Sequence, residues 1–212
     1  MKVLVIGASG RVGTKLVELL AKKGDEVLAG CRKPRDANCP QGATAIEFDL
    51  HWDVSQMADI IKGCDGVCFV AGSRGKDLLQ TDAFGAVKAM QAAEQVGTKR
   101  FVMLSSFLAL EPERWKEEPS LASITNYNIA KFFADSWLMD NTDLDWTIVQ
   151  PGVLEEEPGT GKIAVNPTKG GTNPIPDVAA VLASTLDHPN TIGKVIMMKS
   201  GDTPIEDALS AI

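Results

Sequence analysis

Three glycines at fixed spacing directly follow the first apolar run of the chain, and this feature limits the fold most. The run is residues 3–6, and Gly7, Gly10 and Gly13 form the pattern G-x-x-G-x-x-G. Apolar residues then recur at helical spacing over residues 12–20, which predicts a strand, a tight turn and a helix. Such a turn lets the backbone approach a dinucleotide phosphate at the helix N-terminus. The residues predicted to contact it are Gly7, Ala8, Ser9, Gly10, Arg11, Val12 and Gly13.

The next part of the chain alternates short apolar runs with segments of helical period. The predicted strands are residues 26–31, 44–48, 66–71, 101–104 and 146–150, and the predicted helices are residues 54–61, 79–93 and 127–139. A loop with proline and glycine, residues 33–42, follows the second strand. This alternation predicts βαβ units, and therefore a doubly wound, Rossmann-like α/β fold with a parallel sheet and helices on both faces.

The last third of the chain is less regular. Residues 154–176 are rich in Gly, Pro, Asn and Thr, and we expect a functional loop or lid that carries a short strand. A helix (177–186), a strand (195–199) and a terminal helix (205–212) are predicted after it. A length of 212 residues suits a single α/β domain, in which residues 154–212 contribute a small substrate-side appendage.

Composition and charge exclude several classes of protein. With 44% hydrophobic and 23% charged residues, the chain is neither disordered nor fibrous. A net charge of −7 argues against nucleic-acid and anionic-membrane partners. The four cysteines form no C-x-x-C pair and only two histidines are present, so no metal site is predicted. The first apolar run is too short for a signal peptide or a membrane span, and we expect a cytoplasmic protein.

The residues after the second strand bear on the choice of dinucleotide. An NAD-binding protein usually places an acidic residue there to accept hydrogen bonds from the ribose 2′-hydroxyl. This chain instead has Arg32 and Lys33, and a guanidinium suits a 2′-phosphate. The sequence therefore favours NADP(H) over NAD(H), with Arg11 as a second contact. The alternative is a solvated basic loop.

Candidate acid/base residues lie further along the chain. Tyr127 and Lys131 are four residues apart on a predicted helix, so both side chains lie on one face, where the ammonium would lower the pKa of the phenol. Ser105 and Ser106 follow the strand 101–104 and would offer a hydroxyl to a substrate carbonyl. The alternatives are a half-buried tyrosine beside a lysine that extends to solvent, and serines that only form a turn. His51 has no nucleophile in reach that the sequence identifies and is interpreted as structural.

Most of these candidates directly follow the ends of different predicted strands, and Tyr127 and Lys131 begin the helix that follows the loop of Ser105. In a doubly wound sheet, ligands bind in the crevice outside the carboxyl ends of the strands. We therefore expect one crevice to hold the candidates, which are the glycine turn, Arg32, Asp49, Leu50, Ala71, Gly72, Ser73, Ser105, Ser106, Tyr127, Lys131, Pro151 and Gly152.

Together these motifs resemble those of atypical short-chain dehydrogenases/reductases, close to the NmrA-like and biliverdin-reductase-B-like NAD(P)-binding proteins and to small sugar epimerases. The resemblance rests on the glycine pattern, on Asp49 and Leu50, on Tyr127 and Lys131, and on residues 145–152 (Asp-Trp-Thr-Ile-Val-Gln-Pro-Gly). It implies that Asp49 and Leu50 flank the adenine and that Ala71, Gly72 and Ser73 line the cofactor path. It also implies that Lys131 holds the nicotinamide ribose and that Pro151, Gly152 and Val153 border the nicotinamide. Tyr127 would then move the proton, helped by Ser105 or Ser106.

The leading functional hypothesis is an NADP(H)-dependent oxidoreductase. It would transfer hydride between nicotinamide and a small carbonyl or alcohol substrate, with Tyr127 as acid/base. Two alternatives remain open: an NADP(H)-sensing regulatory protein without turnover, and an epimerase or isomerase that retains its cofactor. In each case we expect a small-molecule ligand and a monomer or homodimer.

Overall fold

The computed structural model describes residues 1–36 and 39–212, so part of the predicted loop 33–42, residues 37 and 38, lies outside it. The strands are β1 (Lys2–Ile6), β2 (Glu26–Cys31), β3 (Ala43–Glu47), β4 (Gly66–Phe69), β5 (Arg100–Leu104), β6 (Asp145–Pro151), β7 (Val153–Glu155), β8 (Lys162–Val165), β9 (Thr172–Pro174), β10 (Lys194–Ser200) and β11 (Thr203–Pro204). The α-helices are α1 (Arg11–Lys23), α2 (Val54–Ile61), α3 (Phe84–Val96), α4 (Pro119–Ala122), α5 (Thr125–Asp140), α6 (Ile175–Thr185) and α7 (Ile205–Ser210). A π-helical segment, Leu78–Ala83, runs directly into α3.

The main sheet has the strand order β11-β8-β10-β6-β5-β4-β1-β2-β3. From β10 to β3 all neighbours are parallel, which confirms the predicted doubly wound fold. At one edge the sheet also contains antiparallel pairs, because β8 runs antiparallel to both β10 and β11. The chain order reverses between β1 and β4, and the crevice at such a reversal is where this fold binds ligands.

Helices cover both faces of the sheet, as predicted. On one face α1 and α6 bury apolar side chains such as Leu16 and Leu182 against the sheet. On the other face α2, α3 and α5 bury Met57, Met90 and Leu138. The continuous apolar runs of the central strands are explained by these two cores, since both sides of each strand are covered.

Local signals in the sequence set the ends of several helices. Gly24 ends α1 with φ +96° and Gly97 ends α3 with φ +77°, the left-handed conformation that favours glycine. Asp53 begins α2, where its carboxylate accepts from the backbone of Gln56, whose side chain accepts in return from the backbone of Asp53.

The segment 154–176 differs from its prediction. It was expected to carry one short strand, yet the structure has strand residues of β7, β8 and β9 there. β7 pairs with β9 in a separate two-stranded sheet, while β8 joins the main sheet. Strands of three or four residues are too short for their alternation to stand out in the sequence. No helix in the described part of the chain is long and apolar enough to span a bilayer.

Candidate functional site

A cleft of about 930 Å³ opens at the carboxyl ends of the central strands. Its walls include the last residue of β1, β2, β5 and β6 and the residue after β4, Val70. The predicted site residues that line it are Gly7, Ser9, Gly10, Arg11, Val12, Arg32, Asp49, Leu50, Ala71, Gly72, Ser73, Ser105, Ser106, Tyr127, Lys131, Pro151, Gly152 and Val153. Three predicted residues, Ala8, Gly13 and Lys33, are not part of this lining.

The glycine turn between β1 and α1 has the geometry that a phosphate requires. Gly7 has φ +95°, and a Cβ there would lie 2.6 Å from the backbone of Ala71. At Gly10 a Cβ would meet only the carbonyl oxygen of Gly7, at 3.1 Å, so the outer side of the turn is open. No side chain caps α1, and the first N–H groups of a helix have no partner within it. These donors and this open space fit the diphosphate of a dinucleotide.

Ala8 and Gly13 act in the same turn without lining the cleft. The backbone N–H of Ala8 donates to Gly30 on β2 over 3.1 Å, which fixes the turn to the sheet. A Cβ on Gly13 would lie 2.2 Å from the carbonyl oxygen of Gly7. Gly13 therefore serves the close packing of α1 on β1.

The cationic side chains at this end of the cleft differ in their surroundings. Arg32 is exposed, directly follows β2 and lines the cleft, whereas the exposed Lys33 lies outside the lining. Arg11 pairs with Glu156, with 3.3 Å between Nη1 and Oε1, and so joins the first turn of α1 to the segment after β7. In this structure Arg11 is thus held by a carboxylate at the mouth of the cleft.

Tyr127 and Lys131 lie on the cleft side of α5. The Lys131 ammonium is 5.8 Å from the centre of the Tyr127 ring and donates to the carbonyl oxygen of Leu104 over 2.9 Å. The lysine is only 2% exposed, so the alternative of a lysine extending to solvent is wrong. The hydrogen bond holds the ammonium beside the last residue of β5, where it faces the cleft.

The expected lowering of the phenol pKa is also wrong for this structure. Burial raises the pKa of Tyr127 above its ordinary value. Lys131 opposes this effect, while the negative charges of Asp82 and Asp135 add to it. The phenol therefore keeps its proton at neutral pH and is poised as a donor.

A buried carboxyl group lies behind Ser105. The Ser105 hydroxyl and Asp135 Oδ2 are 2.5 Å apart, and the Gln150 amide donates to the same oxygen over 3.0 Å. Asp135 is completely buried, and burial raises its pKa to about 6, against the opposing effects of Ser105, Lys131 and Gln150. Ser105 lines the cleft, so its hydroxyl is the group that connects this carboxyl group to a ligand bound there.

A second polar pair ties two loops at the mouth of the cleft. His51, after β3, and Asp77, after β4, are joined by 2.7 Å between Nε2 and Oδ2, and Thr81 donates to the same Asp77 oxygen. Thr81 first and His51 second hold the pKa of Asp77 below its ordinary value. Both His51 and Asp77 line the cleft, which the structural interpretation of His51 did not include.

Asp135 and Gln150 are the polar residues near Ser105 that the sequence reasoning missed. Asp135 is four residues after Lys131, so both lie on one helix face, and an acidic residue on a buried face is the signal that would have found it. Gln150 is a polar residue inside an otherwise apolar strand end. Among the described residues, no group of three His, Cys, Asp or Glu side chains could hold a metal ion.

Comparisons with known proteins agree with this geometry. Residues 7–189 match the model of a protein family described as NAD(P)H-binding. A Bacillus subtilis protein named an uncharacterized sugar epimerase, YhfK, is 34% identical over the whole of both chains. Sequence identity and coverage of this extent show that the two proteins belong to one family.

Solved structures support the same assignment. The crystal structure of an oxidoreductase, ylbE, from Lactococcus lactis has a TM-score of 0.97 and 40% identity, covering all of this chain and 96% of that one. An anaerobilin reductase, ChuY, from Escherichia coli O157:H7 has a TM-score of 0.81 at 24% identity over 95% of this chain and 98% of its own, a likeness of fold. The chain therefore belongs to the NAD(P)H-binding family of Rossmann-fold proteins, in agreement with its resemblance to atypical short-chain dehydrogenases/reductases.

Proposed function

We propose that this protein is an NADP(H)-dependent oxidoreductase that acts on a small carbonyl or alcohol substrate, with Tyr127 as acid/base. The observation that carries the proposal is that one cleft is lined both by the glycine turn and Arg32 and by Ser105, Tyr127 and Lys131. A dinucleotide laid along this cleft from the turn would bring its nicotinamide toward the hydroxyl groups.

The chemistry divides between cofactor and protein. The bound nicotinamide would supply or accept the hydride. In reduction, Tyr127 would donate a proton to the substrate oxygen, and its raised pKa keeps that proton available. Ser105 would hold the same oxygen, and Lys131 would hold the nicotinamide ribose while its charge steadies the phenolate that forms.

One part of the cleft lining supports an uncharged substrate. It comes from the loop after β5, from α4 and the residues that follow it, from β7 and from the segment before β9, and the residues concerned are Phe107, Ser120, Leu121, Ile124, Val153, Leu154, Gly170 and Gly171. None of these side chains is charged, so a substrate diphosphate or carboxylate would find no cation among them, although the loop after β4 adds Arg74 and Lys76 to the lining of the same cleft. In this proposal the chain is a single domain, 1–212, whose part 154–212 completes the substrate side.

A cofactor-retaining epimerase is the second candidate, because the Bacillus subtilis relative carries that name. The two candidates differ in how the cofactor is held. A reductase exchanges its cofactor and consumes NADPH in the presence of uncharged carbonyl compounds such as isatin or diacetyl. Cofactor that stays bound through purification, without NADPH consumption, would favour the epimerase. If the protein binds NADPH tightly but neither consumes it nor retains it through purification, the result would favour the sensor.

The choice between NADPH and NADH can be tested at Arg32. Replacing Arg32 by alanine should weaken NADPH binding by roughly 10- to 150-fold and leave NADH binding unchanged. This loss corresponds to the about 1.5–3 kcal/mol that a charge-assisted hydrogen bond contributes. Titration calorimetry with both dinucleotides measures this. The matched control is Lys33→Ala, which removes an exposed cation next to Arg32 but outside the cleft lining. Equal losses for NADPH and NADH in Arg32→Ala would contradict the assignment.

A further inference from the structure

The Ser105 hydroxyl is shared between the cleft and a buried carboxyl group. It lines the cleft on one side and lies 2.5 Å from Asp135 Oδ2 on the other. A hydroxyl has one proton, so Ser105 can donate either to Asp135 or to a ligand, but not to both. The protonation state of Asp135 therefore decides whether the Ser105 hydroxyl acts as a hydrogen-bond donor or as an acceptor toward a ligand in the cleft.

The two protonation states of Asp135 require opposite hydrogen-bond directions between Asp135 and Ser105. As a carboxylate, Asp135 can only accept, so it takes the serine proton and leaves the serine oxygen to accept from a ligand hydroxyl. As a carboxylic acid, it can donate through Oδ2 to the serine oxygen, and the serine proton then points to a ligand carbonyl. The bond from Gln150 to Oδ2 persists in both forms, because a protonated oxygen still accepts.

We infer that Asp135 is a positioning residue that sets the hydrogen-bonding polarity of Ser105, so that its acid form prepares the site for a ketone or aldehyde and its carboxylate form for an alcohol. This inference rests on the proposed oxidoreductase function and assigns Ser105, rather than Ser106, as the partner of the substrate oxygen. The second carboxyl oxygen, Oδ1, is buried without a hydrogen-bond partner within the described residues. A permanently charged group would be costly in such a place, which is consistent with a group that changes its protonation state.

The surroundings of Asp135 agree with this role. The charge that acts on it is Lys131 on its own helix, while the loop after β5 and the strand β6 present the uncharged Ser105 and Gln150. Two further titratable groups are coupled to this site: Asp135 and Asp82 both raise the pKa of Tyr127. Burial raises the pKa of Asp135 to about 6, so its two forms exchange within the physiological range.

The first test needs no cofactor or substrate. Carboxyl-carbon NMR on the protein, with Asp135→Asn to assign the signal, should show Asp135 titrating near pH 6. Ser105→Ala removes a donor that lowers this pKa, so the titration should move to higher pH, whereas the neighbouring Ser106→Ala should leave it in place. An ordinary carboxyl titration, or one that Ser105→Ala does not move, would overturn the inference.

The second test uses the geometry of Asp135→Asn. Gln150 donates to the position of Oδ2, so the amide oxygen of the asparagine must occupy that position, accept from Ser105 as well and mimic the carboxylate. With NADPH and isatin as the probe, wild-type kcat/KM for reduction should fall as the pH rises through about 6. Asp135→Asn should show no such bend and should be roughly 10²- to 10³-fold slower on the acid side, the usual cost of losing one donor to a developing oxyanion.

The two tests separate two failures. If the pH profile of Asp135→Asn keeps the bend near pH 6 that the wild type shows, the polarity switch is overturned even if reduction itself is rapid. A wild-type protein that binds NADPH without consuming it would contradict the proposed function, and the NMR titration of Asp135 then decides the coupling to Ser105 without any substrate.

Discussion

Replacing Tyr127 by phenylalanine should lower the reduction rate by roughly 10²–10⁴-fold, the range for loss of a general acid, and leave NADPH affinity unchanged. The change removes only the phenolic oxygen from a ring that packs 5.8 Å from Lys131. The measurement pairs the loss of NADPH absorbance with a carbonyl probe and calorimetry of NADPH binding. Because the phenol pKa is raised, the proton donor is present across neutral pH in the wild type.

The matched control for this variant is Asn126→Ala, at an exposed position of the same helical turn and outside the lining of the cleft. It should keep both turnover and cofactor affinity. If Tyr127→Phe reduces the probe as fast as the wild type, the proton comes from another group and the proposed mechanism is wrong.

Replacing Gly13 by alanine should destabilise the protein by about 3 kcal/mol or more and abolish dinucleotide binding, since overpacking against rigid backbone is at the costly end of such changes. The added Cβ would lie 2.2 Å from the carbonyl oxygen of Gly7 and 2.9 Å from Cα of Ala8. Neither atom can move without shifting the turn between β1 and α1. Urea unfolding gives the stability, and NADPH calorimetry gives the binding.

Two other glycines serve as controls for Gly13→Ala. At Gly66 a Cβ would be in ordinary contact, 3.5 Å from Arg100, so Gly66→Ala should cost about 1 kcal/mol or less. At Gly10 the added Cβ would meet only the carbonyl oxygen of Gly7, at 3.1 Å, which a small shift relieves, so Gly10→Ala should cost less stability than Gly13→Ala and should weaken NADPH binding by crowding the phosphate turn. Unchanged urea midpoints in Gly13→Ala would show that α1 can move away from β1.

Local patterns were sufficient for much of the fold. The glycine turn, the apolar runs of β1 and β4 and the left-handed glycines after α1 and α3 act over a few residues, so they can be read directly from the sequence. The short strands β7, β8 and β9 depend on partners far along the chain. Their few residues carry little periodicity of their own, and this is why the segment 154–176 was underpredicted.

In the candidate site, too, some features follow from local sequence spacing and others depend on tertiary packing. Tyr127 and Lys131 stand at a spacing that one helical turn explains, and the structure places both in the wall of the cleft. Asp135 meets Ser105 across thirty residues of sequence, and Gln150 reaches Asp135 from another strand. Such contacts, and the burial that raises the pKa of Tyr127 instead of lowering it, follow from tertiary packing and not from spacing.

The bonds among Ser105, Asp135 and Gln150 also bear on how this protein can diverge. Removing one member leaves a buried partner unsatisfied, so their mutational effects should be strongly non-additive, and a compensating change at a second member should restore much of the loss. Val153 and Ile124, which line the same cleft, are substantially exposed and share no such bond. Substrate range can therefore drift through one-step changes at the rim, whereas the polar centre can be replaced only as a set.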